Sequence, residues 1–239
     1  MKNQILQEAK DMQEELTKWR HSLHRIPELG IHLPKTTTFV KERLAEMDIV
    51  FTEYRECSCI TAVLGTGGRC FLLRGDMDGL PMHEESDVSF ASENGCMHSC
   101  GHDLHTAILL GAAKLLKRHE HELKGTVKLM FQAGEETFEG AKAAIKAGIL
   151  ENPRAEAAFA MHVASIAPAN TIIYGDYPMA AVYGFRITLT GKGTHGSTPQ
   201  LGIDPINTGV HIYLALQELI SREISSTEEA ALTIGRFDA

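Results

Sequence analysis

The amino-acid sequence predicts an α/β protein, with a three-layer domain over residues 1–179 built on a largely parallel sheet and the start of a smaller α+β domain over residues 180–239. Three observations carry this expectation. Short apolar runs with strand character alternate with longer stretches of helical periodicity between residues 60 and 162, the pattern of layered α/β domains. The residues best suited to chemistry gather at the ends of those runs, and open α/β sheets place their ligands just beyond the carboxyl ends of their strands. Character then changes near residue 180, where a Gly/Thr/Ser/Pro-rich loop and one further helix follow.

The elements follow in order. Ile5, Ala9, Met12, Leu16, Trp19 and Leu23 recur at alternating steps of four and three residues, one apolar stripe of an amphipathic helix that Pro27 ends. A second helix is expected over Thr36 to Met47. Strands are expected at Ile60 to Leu64, Cys70 to Arg74 and Thr126 to Gln132; in the last, Val127, Leu129 and Phe131 alternate with Thr126, Lys128 and Met130. Helices are expected at Leu104 to Arg118 and Gly140 to Leu150, and a further strand at Ala157 to His162. In the smaller domain, Phe185 to Thr190 and residues 231–236 read as strands and Asp204 to Ile220 as a helix.

Composition narrows the function. The 239 residues are 44% hydrophobic and 23% charged, an ordinary globular balance long enough for a real core. A net charge of -8 argues against nucleic acid or an anionic membrane as partner. The first 23 residues are polar, without the apolar stretch of a secretory signal, and Ala107 to Leu116 is too short to span a bilayer. Five cysteines, an odd number, do not read as the disulfide framework of an exported scaffold, so a cytoplasmic location is expected.

Residues 96–105, Cys-Met-His-Ser-Cys-Gly-His-Asp-Leu-His, are the strongest chemical signal. Thiolate and imidazole are the donors that divalent transition metals prefer. Cys100 and His102 flank a glycine that lets the backbone turn tightly and present both. His105, one helical turn on, could face the same site or could cap and pack; Cys96 and His98 read as loop residues. A small zinc knuckle could use Cys96, Cys100 and His102, but it would leave the acidic pairs unexplained. Asp76 and Asp78 are two apart after a strand, so on an extended chain they project to one side. Glu135 and Glu136 are adjacent carboxylates, which repel unless a cation or a shared proton lies between them. One can ligate metal while its neighbour serves as general base. His162 ends a strand-like run and gains meaning only from the company of the others. Gly191 to Gly196 spells the dinucleotide-binding pattern, but Pro199, Gly202 and Pro205 deny it the helix that motif needs, leaving His195 as a polar loop residue suited to touching substrate.

In order along the chain, His24-Arg25-Ile26-Pro27-Glu28-Leu29, Arg74-Gly75-Asp76-Met77-Asp78-Gly79-Leu80-Pro81, Met97-His98-Ser99-Cys100-Gly101-His102-Asp103, Gln132-Ala133-Gly134-Glu135-Glu136, Met161-His162 and Gly193-Thr194-His195-Gly196-Ser197 resemble the co-catalytic metallopeptidase family. The likeness is to its amidohydrolase branch, which includes hippurate hydrolase, hydrolases of auxin–amino acid conjugates and N-acetyldiaminopimelate deacetylases. The resemblance implies that Cys100, His102, Glu136 and His162 hold two divalent metal ions (zinc, manganese, cobalt or nickel), with Glu135 as general base. It implies that Asp78 orients a ligand and that His195 reaches from a lid domain toward substrate or oxyanion. The substrate implied is a small N-acyl amino acid, and self-association into a homo-oligomer is expected. Family members continue through the rest of the lid to a final histidine ligand, so this sequence reads as a truncated form. A metal- or partner-binding remnant, or a dipeptidase or carboxypeptidase of the same family, are the competing readings.

Overall fold

A computed structural model describes residues 2–174 and 180–239. The chain divides into two units, Met1–Thr171 and Ile172–Ala239. The domain boundary expected at residue 179 falls against residues 175–179, which lie outside the described residues.

In the first unit five strands form one sheet: β1 (Phe51–Tyr54), β2 (Cys59–Leu64), β3 (Cys70–Asp76), β4 (Thr126–Gln132) and β5 (Ala157–Ala160), in the order β1-β2-β4-β3-β5. β3 pairs in parallel with both β4 and β5, whereas β2 is antiparallel to its neighbours β1 and β4. Four strands therefore share one direction and β2 alone opposes them. The parallel β3–β4 pair needs a crossover, and α4 (His102–Arg118) supplies it.

The sheet separates two apolar layers, as side-chain alternation demands. Ile60, Ala62 and Leu64 of β2 and Leu129 and Phe131 of β4 face one core. They meet Trp19 and Leu23 from α2 (Gln13–His24), Val40 and Leu44 from α3 (Pro34–Glu46), and Leu110 and Ala113 from α4. Cys59, Leu72 and Met130 face the other way, against Ala144 and Ile149 in and after the short α5 (Gly140–Lys146). Lys128 shares that face; its buried ammonium donates to the carbonyls of Ile149 (2.8 Å) and Glu151 (2.6 Å), which satisfies the cation there. Helices thus lie on both faces, giving three layers.

The helical stripe at the N-terminus is carried by two abutting helices, α1 (Lys2–Asp11) and α2, that meet at Met12. Helical hydrogen bonds cross the junction, from Met12 N–H to the Glu8 carbonyl (3.2 Å) and from Leu16 N–H to the Met12 carbonyl (3.0 Å), so the stripe stays on one face. The edge strand β1 was not foreseen: four residues, none of them fully buried, carry no periodic signal. β5 stops at Ala160, two residues before His162, and α5 ends four residues short of Leu150.

In the second unit α6 (Pro205–Arg222) starts at Asp204, whose carboxylate caps it by accepting from Ile206 N–H (2.9 Å) and Asn207 N–H (3.0 Å). The two strands expected in this unit are absent among the described residues: Phe185 to Thr190 and residues 231–236 have no regular secondary structure. An apolar run becomes a strand only when a neighbour takes up its backbone groups, and among the described residues no ladder forms with either run; the pairing seen in this unit is an isolated bridge, Lys192 to Ile203.

Candidate metal centre

Because β4, β3 and β5 are adjacent and parallel, their carboxyl ends share one edge of the sheet. Asp76 ends β3 with Asp78 just beyond; Glu135 and Glu136 follow β4; His162 follows β5. The α4 crossover begins at the same edge, bringing Cys100 and His102 to it. Gly101 makes that entry possible. It adopts φ +84°, and a Cβ there would stand 2.4 Å from Val163 Cγ2, so the turn requires glycine twice over. A Cβ on Gly75 would likewise come within 3.1 Å of the His105 carbonyl oxygen, so the bare strand end lets α4 lie close.

His102 is the centre of the cluster and is fully buried. Its Nδ1 faces Asp78 Oδ1 at 3.4 Å. Its Nε2 faces three carboxylates, Asp76 Oδ2 at 3.6 Å, Glu135 Oε2 at 3.8 Å and Glu136 Oε1 at 3.8 Å. Cys100 Sγ lies 3.2 Å from His162 Nε2. His162 Nδ1 donates to the Val163 carbonyl at 2.6 Å, which fixes the proton on that nitrogen and leaves the Nε2 lone pair directed at the thiol. Among the described residues three groups of candidate ligands result: Cys100, His102 and His162; His102, Glu135 and Glu136; and Asp76, His102 and His105, with ligand atoms within 4.8 Å of one another in each.

His105 in the third group has its ring nitrogens already committed. It is buried; its Nδ1 is 2.5 Å from Asp76 Oδ1 and its Nε2 accepts the Val163 N–H at 2.9 Å. Both nitrogens are engaged, so His105 braces the strand ends. Cys96 and His98 join none of the groups among the described residues.

The remaining donors suit a divalent cation. Both nitrogens of His102 and Glu136 Oε1 are buried without a hydrogen-bond partner, a costly state unless a ligand engages them, whereas Asp76 Oδ2 already stands 2.7 Å from the Arg74 guanidinium. Ligands about 2.0–2.3 Å from one tetrahedral ion stand roughly 3.3–3.8 Å apart, close to the spacings seen here. Electrostatics agree. Burial lowers the His102 pKa, but Asp78, Asp76 and Glu136 more than offset it, so the imidazole sits above its ordinary value. Burial, with His102 opposing and Glu135 assisting, raises Glu136. Burial and the nearby Glu136 and Glu135 push the Cys100 thiol up to about 12. Against its burial, the His105 hydrogen bond and the positive neighbours His102 and Arg74 hold Asp76 down to about 2. Negative charge is thus crowded about one point, a setting that suits a divalent cation.

Asp78, also fully buried, ties the acidic pair in place: Oδ1 accepts the Glu135 N–H and Oδ2 the Glu136 N–H, each at 3.0 Å. His195 belongs to the second unit, where Ser197 N–H donates to its Nδ1 at 3.2 Å and leaves Nε2 as the ring's donor. What the sequence did not disclose is a buried set behind the cluster, His24, Glu84 and Asp103. Their positions are scattered along the chain, so no local spacing announces them.

Residues 72–190 match Peptidase family M20/M25/M40. The IAA-amino acid hydrolase ILR1-like 5 of Arabidopsis thaliana is 39% identical over 222 residues, covering 92% of this chain and 51% of its own length. N-acetylcysteine deacetylase of Bacillus subtilis is 38% identical over 229 residues, covering 94% of this chain and 60% of its own. N-acyl-L-amino acid amidohydrolase of Geobacillus stearothermophilus is 34% identical over 244 residues, with 100% of this chain and 65% of its own length covered. The chain spans about half the length of the first of these relatives and under two thirds of the others. Among solved structures, a putative aminohydrolase from methicillin resistant Staphylococcus aureus superposes with a TM-score of 0.76 at 30% identity, over 100% of this chain and 64% of its own. The Bacillus subtilis YXEP protein, described as a dinuclear metal binding peptidase from the M20 family, gives a TM-score of 0.61 at 36% identity, over 64% of this chain and 44% of its own. Together with the sheet and the ligand groups at its edge, these matches establish that the chain carries a Peptidase M20 family domain.

Proposed function

We propose that the protein is a metal-dependent amidohydrolase that cleaves the amide bond of small N-acyl amino acids. The observation that carries this reading is the buried, unpartnered Nε2 of His102, ringed by carboxylates beside the Cys100–His162 pair. Cys100, His102, Glu136 and His162 hold two divalent ions; zinc, manganese, cobalt and nickel all suit the mixed S, N and O donors. When bound, such ions polarise a carbonyl and lower the pKa of water toward neutrality. Glu135 acts as general base, taking a proton from the attacking water and delivering it to the departing amine nitrogen. Asp78 keeps His102 and the backbone of the acidic pair in register. His195 supplies a ring N–H for the substrate carboxylate or the developing oxyanion.

The substrate class follows from relatives that are an N-acetylcysteine deacetylase, an N-acyl-L-amino acid amidohydrolase and IAA-amino acid hydrolases. Among the described residues no helix is long and apolar enough to cross a membrane, and the five cysteines are free; a cytoplasmic setting is our reading. Self-association is part of it too, because Ile206, Val210, Tyr213 and Leu214 on α6 are exposed.

Acetyl- and benzoyl-amino acids, offered to the full-length protein before and after chelation, test the activity. Release of the free amino acid that disappears with chelator and returns with added metal is expected. Cleavage of dipeptides in preference to acyl amino acids would assign the site to a dipeptidase instead.

A further inference from the structure

We propose that His24 is a positioning residue of this metal centre, locking the helix turn that carries His102 to the chain segment that leads to Cys100. His24 ends α2 and is buried. Its Nδ1 is 2.7 Å from Asp103 Oδ2 and its Nε2 is 2.9 Å from Glu84 Oε1. Both carboxylates are almost wholly shielded from solvent, with side chains 0% and 1% exposed. A carboxylate only accepts, so a ring flanked by two of them donates from both nitrogens and is an imidazolium.

The two anchors belong to different parts of the site. Asp103 follows His102 in the first turn of α4. Glu84 lies in the long connection between Asp78 and Cys100, where it also accepts the Ser92 N–H at 2.6 Å and the Ser86 hydroxyl at 2.5 Å. One turn before His24, Arg20 Nε stands 2.7 Å from Asp103 Oδ2 and its guanidinium lies 4.6 Å from the ring centre of Phe90, a residue of the same connection. His21 stacks on that ring at 3.7 Å. Just after His24, the Glu28 carbonyl accepts the Gly79 N–H and the Pro27 carbonyl accepts Asn94 Nδ2, each at 2.8 Å. The end of α2 therefore holds both ends of the Asp78–Cys100 connection and the start of α4.

Stability alone is a poor account of this arrangement. A buried ionic network is expensive to desolvate, and apolar packing of similar volume often serves a fold as well or better. What directed hydrogen bonds add is position, and ligand atoms must be held within about 0.5 Å for a metal site to form. His24 joins two ligand-bearing segments that share no strand pairing.

The proposal rests on the metal reading above, and cobalt(II) titration of the full-length protein separates the two. Wild type, His24→Gln and Glu84→Gln are compared by dissociation constant, visible ligand-field spectrum and circular dichroism. Glu84→Gln removes the charge that pairs with His24 and disturbs the Ser86 and Ser92 contacts within the connection, leaving the bond to Asp103 on the α4 side intact. His24→Gln is expected to weaken cobalt binding by about 10–100-fold, the usual effect of losing a partner behind the ligands. It should also shift the visible spectrum while the circular dichroism stays unchanged. Glu84→Gln should weaken binding less, and the double variant should be no worse than His24→Gln alone, because His24→Gln already removes the His24–Glu84 pair. His24→Gln that melts earlier yet binds cobalt with wild-type affinity and spectrum would overturn the proposal. If His24→Gln does not fold, wild-type affinity and spectrum in Glu84→Gln overturn it equally. Wild type that binds no cobalt would instead defeat the metal reading, and this inference with it.

Discussion

Asp78 Oδ1 accepts the backbone N–H of Glu135 at 3.0 Å. The same oxygen faces His102 Nδ1 at 3.4 Å, and the second oxygen accepts Glu136 N–H. One buried carboxylate thus faces a candidate ligand and holds the backbone of the acidic pair at once. Asp78→Asn puts an N–H donor opposite one of those backbone donors. Metal affinity should fall by about 10–100-fold, as for other partners that orient ligands. Calorimetric titration with manganese or zinc measures it, and unchanged affinity would remove Asp78 from the site.

The two glutamates should separate cleanly. Glu135→Gln keeps the shape but cannot take the proton of the attacking water, so turnover of the full-length protein should drop by about 10²–10⁴-fold with metal retained. Glu136→Gln should lower metal content, read by elemental analysis. The opposite outcome would exchange the two roles.

Gly101→Ala should damage fold and site together. A left-handed backbone costs an L-residue about 1–2 kcal/mol, and the new Cβ would collide with Val163 beside His162. A lower thermal midpoint together with reduced metal content is expected. A loss of stability with full metal occupancy would show that Val163 moves aside without disturbing His162.

Stability should follow pH through His24. The Asp103 hydrogen bond raises its pKa, burial opposes, and Glu84 adds to the rise; Arg20 opposes as well. Its contribution is therefore complete below the ordinary histidine value of 6.5 and is lost as pH rises through the elevated folded value. Burial would raise Glu84, but hydrogen bonds from Ser86, Ser92 and His24 hold it down to about 2. Its contribution is complete above the ordinary 4.5 and is lost as pH falls toward 2. The thermal midpoint difference between wild type and His24→Gln should be greatest between pH 4.5 and 6.5 and should shrink on either side. Differential scanning calorimetry across pH 3–9 measures it. A difference that grows toward alkaline pH would mean that His24 is neutral in the fold.

The sequence by itself determined the strands and helices whose periodicity is local. β4 is the clearest case: Val127, Leu129 and Phe131 announce one buried face, and Leu129 and Phe131 lie in the larger core. It also placed Glu135, Glu136 and His162 after strand-like runs and Cys100 and His102 at the glycine turn that enters a helix, because unusual donors beside a glycine turn or an apolar run are visible without coordinates. Tertiary structure decided the rest. Whether Phe185 to Thr190 pairs depends on a neighbour that no local pattern reports. Whether His105 ligates or braces depends on Asp76 and on Val163, 58 residues away. The bond of His24 to Asp103 spans 79 residues, and its charge exists only because folding buries two carboxylates against one ring. Periodicity is written along the chain, whereas burial and the partners it imposes arise only when distant segments meet.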